Sequence, residues 1–403
     1  MSYESEDNKM PGPLTGVRVL DLTRVLAGPY TTMLLADMGA EVVKIEEPGS
    51  GDESRKFGPF VKEVSTYFIS INRGKKGITL NLKKEAGKKL FLDLVSQADV
   101  VVENYRPGVM KKLGLDYPTL RARHPQLVYA ACSGFGHSGP YSNRGAYDMI
   151  VQGMGGLMSI TGELGGSPVR VGASIGDITG ALFTTIGILA AICHARATGQ
   201  GQMVDVAMLD GQVAILENAI MRTLVTGEVP GPLGTRHPSI APFQAFPAAD
   251  GQLILAAGPN HWERFCQVIG RPDLIAHPRF ATNALRAEHV EELGEVLSVI
   301  TRQKPVAVWM QEMLAAGIPC GPVNTVDKVV KDPQVLAREM LVDIRDPKAG
   351  PITVAGFPIK LSATPGRAQG PAPGLGEHTE AVLAEWLHVS ASAVARLREE
   401  GVV

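Results

Sequence analysis

Buried strands alternate with helices along the first half of the chain, and this alternation constrains the fold more than any other feature. Residues 17–46 form one β-α-β unit. "VRVLDL" predicts a strand, Pro29 fits the first turn of a helix that ends near Gly39, and "EVVKIE" predicts a second strand. The pattern repeats with "ITLNL", a helix over residues 84–97 and "ADVVVENY". Such alternation predicts an α/β protein with a mainly parallel sheet covered on both faces.

Later segments divide the chain into a large and a small domain. "QLVYAACS", an apolar helix over 178–196, "GQMVDVAM" and a helix over 209–224 continue the first pattern. Five prolines then interrupt residues 228–247, and a smaller α/β region follows. From residue 330 onward, short strands and terminal helices resemble elements that return to the first domain. We therefore predict a large open parallel-sheet domain built from residues 12–227 and 330–403, with 228–329 as linker and inserted small domain.

Composition excludes several classes of function. A formal net charge of −2 over 403 residues provides no global field that would attract nucleic acid. The polar N-terminus is not a targeting peptide, and threonine and glycine interrupt the longest apolar run, so we expect no membrane partner. Four dispersed cysteines predict reduced thiols of a cytoplasmic protein, with Cys193 in the core. The histidines show no metal-ligand spacing, so no metal is expected.

Two further features of the sequence are candidate ligand sites. "GFGHSG" satisfies a dinucleotide pattern, but Pro140 and Gly145 describe a loop where that pattern needs a helix, which argues against nicotinamide binding. Basic residues cluster in "NRGKKG", "LNLKKEAGKK" and "ENYRPGVMKK". Because ligands bind at the carboxyl ends of parallel strands, these residues could hold an anion, although a solvated basic face is the plainer interpretation of the charge alone.

Asp177 permits two interpretations from its surroundings alone. In "VGASIGDITG" it precedes a long apolar helix, so it could cap that helix, as Asp commonly does. The same position could keep a carboxylate ionised and exposed as a nucleophile toward an activated acyl group, because the helix start carries partial positive charge. The cap accounts for the residue without any chemistry, and local sequence leaves both open.

Long motifs across the chain resemble the class III CoA-transferases. They occur in the family's order and spacing from Pro13 onward, as "PLTGVRVLDLTRVLAGPYTTMLLADMGAEVVKIEEPGSGD", "ENYRPG", "SGFGHSGPYSNRGAYD" and "GASIGDITG". The resemblance implies an interlocked homodimer and Asp177 as catalytic nucleophile, which attacks the donor thioester to give an aspartyl anhydride and then an aspartyl-CoA thioester. It also implies that the CoA thioester is a substrate and that no cofactor is tightly bound.

The resemblance also assigns binding residues individually. The CoA contacts it implies are Ala27, Leu80, Asn81, Lys83, Asn104, Tyr105, Arg106, Lys112, Gly145, Ala146, Tyr147 and Asp148. Glu47 stands where many members have an arginine, which puts one phosphate contact in doubt. Arg24 and Arg236 could clamp a distal carboxylate, and His237 could orient the acceptor, although a surface ion pair and a backbone-bonded loop histidine are the plainer alternatives.

Three activities follow as alternatives. Similarity of "GTRHPSIAPFQAF" and "DLTRVLAGP" to the succinate–hydroxymethylglutarate branch predicts transfer from a short acyl-CoA such as succinyl-CoA to a short-chain dicarboxylic acid. Leu26 and the single Gly258 of "LAAGPNHWERF" argue against a formyl-CoA:oxalate enzyme. A 2-methylacyl-CoA racemase would carry a histidine where Tyr147 stands, and tyrosine is a poor base at neutral pH. A non-catalytic CoA-binding protein is the third class.

Overall fold

The computed structural model describes residues 11–368 and 370–403, which fall into two compact units. The first unit comprises the chain through residue 157 together with 170–221 and 333–403. The second comprises 158–169 and 222–332. Residues 158–169, which the sequence placed in the large domain, fall in the second unit. This difference arises because residues 161 and 162 hydrogen-bond to residues 169 and 234.

A six-stranded parallel sheet, here called the main sheet, organises the first unit. Its strands, in spatial order, are Lys76–Thr79, Glu41–Glu46, Arg18–Asp21, Val100–Glu103, Val128–Ser133 and Met203–Ala207. After the central strand Arg18–Asp21 the chain builds one side of the sheet and then crosses to the other. The carboxyl ends of Arg18–Asp21 and Val100–Glu103 therefore flank the point where strand order reverses, which is where open α/β sheets bind ligands.

Alternate residues of each strand supply two separate cores. Val19 and Val100 face one side of the sheet, where the helices Ala27–Asp37 and Ile175–Thr198 pack, and Leu20 and Val101 face the other. The second side is covered by Glu85–Val95 and by helices from the C-terminal end of the chain, Thr379–Leu387 and Ala391–Glu399. Both chain ends thus contribute to one core.

Short elements complete this unit. The remaining helices are Thr66–Asn72, Val109–Leu113, Tyr117–Arg123, Asp148–Met154, Met208–Ile215, Glu217–Thr226 at its boundary, and Pro333–Ala337. Two antiparallel hairpins, Phe60–Val61 with Val64–Ser65 and Leu341–Asp346 with Gly350–Ala355, lie outside the main sheet. The single helix predicted over 209–224 is in fact two, because Glu217 adopts a φ of +25° that breaks the helical path.

The helix Ile175–Thr198, here called the long helix, extends beyond the predicted span of 178–196 at both ends. By length and composition alone it could cross a membrane, and 44% of its most apolar window is buried inside the protein. One side packs on the main sheet through Ile188 and Ile192. The other side exposes Phe183, Ile186 and Cys193, so the prediction that Cys193 belongs to the core is wrong.

The second unit has its own core around a three-stranded antiparallel sheet. The strand Gln252–Ala256 lies between Phe243–Pro247 and Cys320–Pro322. Its helices are Trp262–Val268, Asn283–Glu288, Val290–Thr301, Val306–Ala315 and Val326–Val329. They bury aromatic side chains, including Trp309 and Phe265, against the sheet.

Two ion pairs are buried beneath the carboxyl ends of the central strands. The ammonium of Lys44 lies 2.9 Å from an Asp52 carboxylate oxygen and donates to the Thr23 carbonyl at 2.8 Å. The ammonium of Lys75 lies 3.0 Å from Asp21, and all four side chains of the two pairs are fully buried. Burial opposes the charge on Asp52, but Lys44 outweighs it and holds the pKa of Asp52 at about 2. Burial lowers the pKa of Lys75 to about 8 despite Asp21.

We predict that Lys44→Met destabilises the protein by about 3–5 kcal/mol, because the substitution leaves the buried Asp52 carboxylate without its cation. Lys83→Met is the matched control. Its ion pair with Glu47 is exposed, with side-chain exposures of 75% and 51%, so the loss should stay below about 1 kcal/mol. Urea unfolding followed by circular dichroism measures both. Equal, small shifts of the two midpoints would show that the buried pair contributes no more than the exposed one.

Candidate active site

A cavity of about 430 Å³ lies at the carboxyl end of the main sheet, beside the point where strand order reverses. We call it the inner cavity. Loops that follow three strands of the sheet form its walls, together with the first turn of the long helix. The residues from the sequence prediction that line it are Arg24, Ala27, Asn104, Tyr105, Arg106, Gly145, Ala146, Tyr147, Asp148 and Asp177.

Asp177 does not cap the long helix. Ser174 occupies the N-cap position, and Asp177 is the third residue of the first turn, so the cap interpretation is wrong. Gly176 beside it is required by close packing, since a β-carbon there would lie 2.6 Å from a Val151 methyl and 3.0 Å from an Asp148 carboxylate oxygen. Asp177 is half-buried and lines the inner cavity, where its carboxylate can meet a substrate.

Asp148 is the charged residue whose effect on Asp177 the structure shows. Its carboxylate accepts the backbone N–H of Gly176 at 2.8 Å and the side-chain amide N–H of Gln152 at 2.8 Å. Burial, and then the charge of Asp148, raises the pKa of Asp177 to about 7. The sequence suggested that the helix start could keep this carboxylate ionised, whereas burial raises its pKa. Asp177 therefore titrates near neutral pH.

A second cavity of about 510 Å³, here called the outer cavity, lies alongside. Arg24, Tyr105 and Arg106 line both cavities, so the two share a wall. The outer cavity is largely apolar, with Leu80 and Val109 among its lining residues. Lys83 and Asn81 line it as well, which brings the predicted CoA contacts after the "ITLNL" segment to the same place as those of the "ENYRPG" turn. The Leu80 position itself directly follows the strand, which ends at Thr79.

Hydrogen bonds hold the wall between the cavities. The Asn104 side chain accepts the Arg24 backbone N–H at 2.8 Å and donates to the Arg24 carbonyl at 2.7 Å. The Arg24 guanidinium stacks over the Tyr105 ring and pairs with Glu53 at 2.8 Å. Arg106 passes so close to Gly145 that a β-carbon there would lie 2.7 Å from its Nη2. Gly145 therefore makes room for Arg106.

Two basic positions of the outer cavity differ. The Lys83 ammonium lies 2.7 Å from the Glu47 carboxylate, and this contact lowers the pKa of Glu47. The charge of Lys83 is therefore paired with Glu47. Lys112 lies in the last turn of the helix Val109–Leu113, is exposed, and lines neither cavity.

Comparison with known proteins identifies the family. The sequence profile of CoA-transferase family III matches residues 14–379. This chain is 42% identical over 386 residues to the succinate–glutarate CoA-transferase of Agrobacterium fabrum, covering 94% of this chain and 96% of that one. It is also 42% identical over 361 residues to the acetyl-CoA:oxalate CoA-transferase of Acetobacter aceti, covering 89% and 92%. A crystal structure of a CAIB/BAIF family protein from Brucella suis matches with a TM-score of 0.84 at 38% identity, covering 93% of this chain and all of that one.

The chain belongs to CoA-transferase family III. The motifs that suggested this family in the sequence contain or follow strands of the main sheet or begin the long helix, and each of them contributes residues to one or both cavities. The protein is therefore a class III CoA-transferase with a large parallel sheet.

Arg236 and His237 do not line either cavity of this class III CoA-transferase. Both belong to the second unit. Arg236 pairs with Glu291 at 3.5 Å, and the His237 ring stacks on Phe243 while its Nδ1 accepts two backbone N–H groups. These contacts match the plainer alternatives, a surface ion pair and a backbone-bonded loop histidine.

Sequence reasoning missed several residues of this site, among them Arg170, Gln152 and Glu53. Arg170 lines the inner cavity, Gln152 bonds to Asp148, and Glu53 pairs with Arg24. No spacing signal marks them, because each comes from a different segment and meets the site only through the fold. Cys132 also lines the inner cavity, and burial raises the pKa of its thiol to about 12, which argues against a thiolate nucleophile. No group of metal ligands occurs within residues 11–368 and 370–403.

Proposed function

We propose that this class III CoA-transferase moves CoA from a short acyl-CoA, with succinyl-CoA as the first candidate, to a short-chain dicarboxylic acid. The observation that carries the proposal is the position of Asp177. It is a half-buried carboxylate in the inner cavity, which shares a wall with a larger cavity able to receive the nucleotide end of CoA.

The two cavities suit the two ends of an acyl-CoA. The apolar lining of the outer cavity at Leu80 and Val109 can receive the adenine, and Lys83 and Arg106 can meet phosphates. The pantetheine arm would pass the shared wall at Tyr105, which brings the thioester to Asp177. Glu47 must release Lys83 for such a phosphate contact to form.

The proposed reaction proceeds through Asp177 alone. A carboxylate oxygen of Asp177 attacks the donor thioester carbonyl, the C–S bond breaks, and CoA leaves as the thiolate. The thiolate then attacks the Asp177 carbonyl of the mixed anhydride, which releases the donor acid and leaves an aspartyl-CoA thioester. The acceptor carboxylate attacks this thioester, the C–S bond breaks, and the CoA thiolate leaves as a second anhydride forms. The thiolate then attacks the acceptor acyl carbonyl of that anhydride, which gives the product acyl-CoA and frees the Asp177 carboxylate. The net reaction exchanges one thioester for another of similar energy, and the covalent intermediates divide the transfer into easier steps.

The relatives support the choice of acceptor class. Glutarate and oxalate, which appear in their names, are both dicarboxylates. The two relatives are equally identical to this chain, so overall identity does not choose between these acceptors. The departures at Leu26 and Gly258 are the argument for the longer acid.

Racemisation at the α-carbon is the weaker alternative. It requires an acid and a base on opposite sides of the substrate, and the side chain that precedes Asp148 is Tyr147, which is 74% exposed. A purely CoA-binding role is disfavoured by the pKa of Asp177, since a carboxyl group that titrates near 7 is suited to chemistry at neutral pH.

We also propose that the protein is the interlocked homodimer that the sequence resemblance implies. Three helices of the first unit that contact one another, and the start of a fourth at its boundary, expose apolar side chains. A cluster of exposed apolar side chains is typical of an interface. The side chains are Met149, Ile150, Met154, Leu182, Phe183, Ile186, Val213, Ile215 and Met221.

The nucleophile is tested by trapping. Incubation with succinyl-CoA and hydroxylamine, without an acceptor, should inactivate the enzyme and convert Asp177 to its hydroxamate, because hydroxylamine attacks anhydrides and thioesters. Peptide mass spectrometry locates the modification. Asp177→Asn should lose transfer activity by at least about 1,000-fold and show no hydroxamate, whereas Asp148→Asn should still be modified at Asp177. Modification at another carboxyl group, or none in an active enzyme, would refute this role.

The pH dependence of kcat/KM for the acyl-CoA tests the electrostatics. Only the ionised carboxylate attacks, and the pKa of Asp177 is about 7, so the rate should rise with pH and level off above about 7. Asp148→Asn removes the like charge and should move this rise to lower pH. Glu53→Gln is the control, since Glu53 lines the same cavity but is neutralised by Arg24. Its profile should keep the wild-type midpoint, and an unmoved midpoint in Asp148→Asn would contradict the account.

Oligomeric state is tested by light scattering at micromolar concentration, where the wild type should give twice the chain mass. Ile186→Glu places a charge in the apolar patch and should yield monomer or aggregate. Val299→Glu, at an equally exposed apolar position of the second unit, should leave the mass unchanged. A monomeric wild type would exclude the dimer.

A further inference from the structure

Four arginines line the inner cavity, and their contacts separate their roles. Arg24 is neutralised by Glu53. Arg106 also lines the outer cavity, which places it toward the nucleotide end of a bound CoA. Arg144 stacks on the exposed Tyr141 ring at 3.9 Å. Arg170 is the fourth, and no role has yet been assigned to it.

Arg170 has hydrogen bonds but no counter-ion among the residues that the structure describes. Its Nε donates to the Val171 carbonyl at 3.1 Å and its Nη2 to the Gly172 carbonyl at 2.6 Å. Backbone carbonyls orient a guanidinium without neutralising it, and a guanidinium has five N–H donors. Its remaining donors and its full charge are therefore available to an anion in the inner cavity.

A chain of hydrogen bonds fixes Arg170 relative to the proposed nucleophile. The next residue, Val171, donates its N–H to the side-chain oxygen of Gln152 at 2.9 Å. Gln152 is fully buried, and its amide nitrogen donates to Asp148, whose other oxygen accepts the Gly176 N–H beside Asp177. The oxygen and the nitrogen of the Gln152 amide thus both form hydrogen bonds. Through them, the loop that carries Arg170 and the first helical turn that carries Asp177 are held in a fixed relative position.

We propose that Arg170 binds the distal carboxylate of the dicarboxylic acyl group while Asp177 reacts with its other end. The proposal rests on the proposed function. In a dicarboxylate substrate the reacting carbonyl and the free carboxylate are separated by a short carbon chain, and Arg forms paired, charge-assisted hydrogen bonds with carboxylates. The fixed frame then makes Arg170 the residue that distinguishes succinyl-type acyl groups from uncharged ones.

The test compares succinyl-CoA with butyryl-CoA, which has the same number of acyl carbons and a methyl group in place of the distal carboxylate. The rate of Asp177 trapping by hydroxylamine is measured for each donor alone, so that no acceptor affects it. Arg170→Gln should slow trapping with succinyl-CoA by about 10- to 100-fold and change trapping with butyryl-CoA less than about twofold. Arg170→Lys, which keeps the charge, should recover part of the preference.

Arg144→Gln is the matched control, because Arg144 lines the same cavity and should leave the ratio of the two rates unchanged. An equal loss for both donors in Arg170→Gln, or a selective loss in Arg144→Gln instead, would overturn the proposal.

If neither succinyl-CoA nor butyryl-CoA leads to modification of Asp177 in the wild type, the proposed function fails. Calorimetry then decides the role of Arg170 separately, since glutarate should bind the wild type more tightly than pentanoate and Arg170→Gln should abolish that difference. An unchanged difference would overturn it.

Discussion

The buried pairs Lys44–Asp52 and Lys75–Asp21 are the interactions on which the site depends. They lie where the central strands of the main sheet end, and their charges are satisfied by each other and by the Thr23 carbonyl. Such groups are stable only when the chain around them keeps its geometry. The turn after the strand Arg18–Asp21 and the segment around Asp52 are therefore held together, and with them the Arg24–Glu53 pair at the inner cavity.

The frame around the reacting group is built from small residues and one shared carboxylate. Gly176 lets the long helix approach Val151, and Gly145 lets Arg106 pass. Asp148 ties the helix start to Gln152 and also contributes its charge to the environment of Asp177. Desolvation makes the ionised Asp177 carboxylate a stronger nucleophile, but it also raises the pKa and so reduces the ionised fraction. With a pKa near neutrality, a reactive carboxylate is still present in quantity at neutral pH.

Periodicity in the sequence predicted the parallel sheet and its covering helices, because those features follow from local apolar patterns. Contacts between distant segments were not predictable in this way. Lys75 looked like part of a ligand site or a solvated basic face and is instead buried on Asp21. Asp177 looked like a cap, although Ser174 occupies that position. Arg170 carried no signal, since its role depends on a loop whose path Gln152 determines from another helix.

Asp148 both holds the loop of Arg170 through Gln152 and places a charge beside Asp177. The choice of acid substrate and the pH dependence of the reaction are therefore linked. One of its oxygens anchors the turn that carries the nucleophile, and the other, through Gln152, anchors the loop of Arg170. A substitution that reshapes this loop to admit a different acid would also disturb the charge beside Asp177. Relatives that diverged in acceptor are therefore expected to differ in the acidity at which they work best, and engineering one property in isolation requires changes outside this hydrogen-bonded chain.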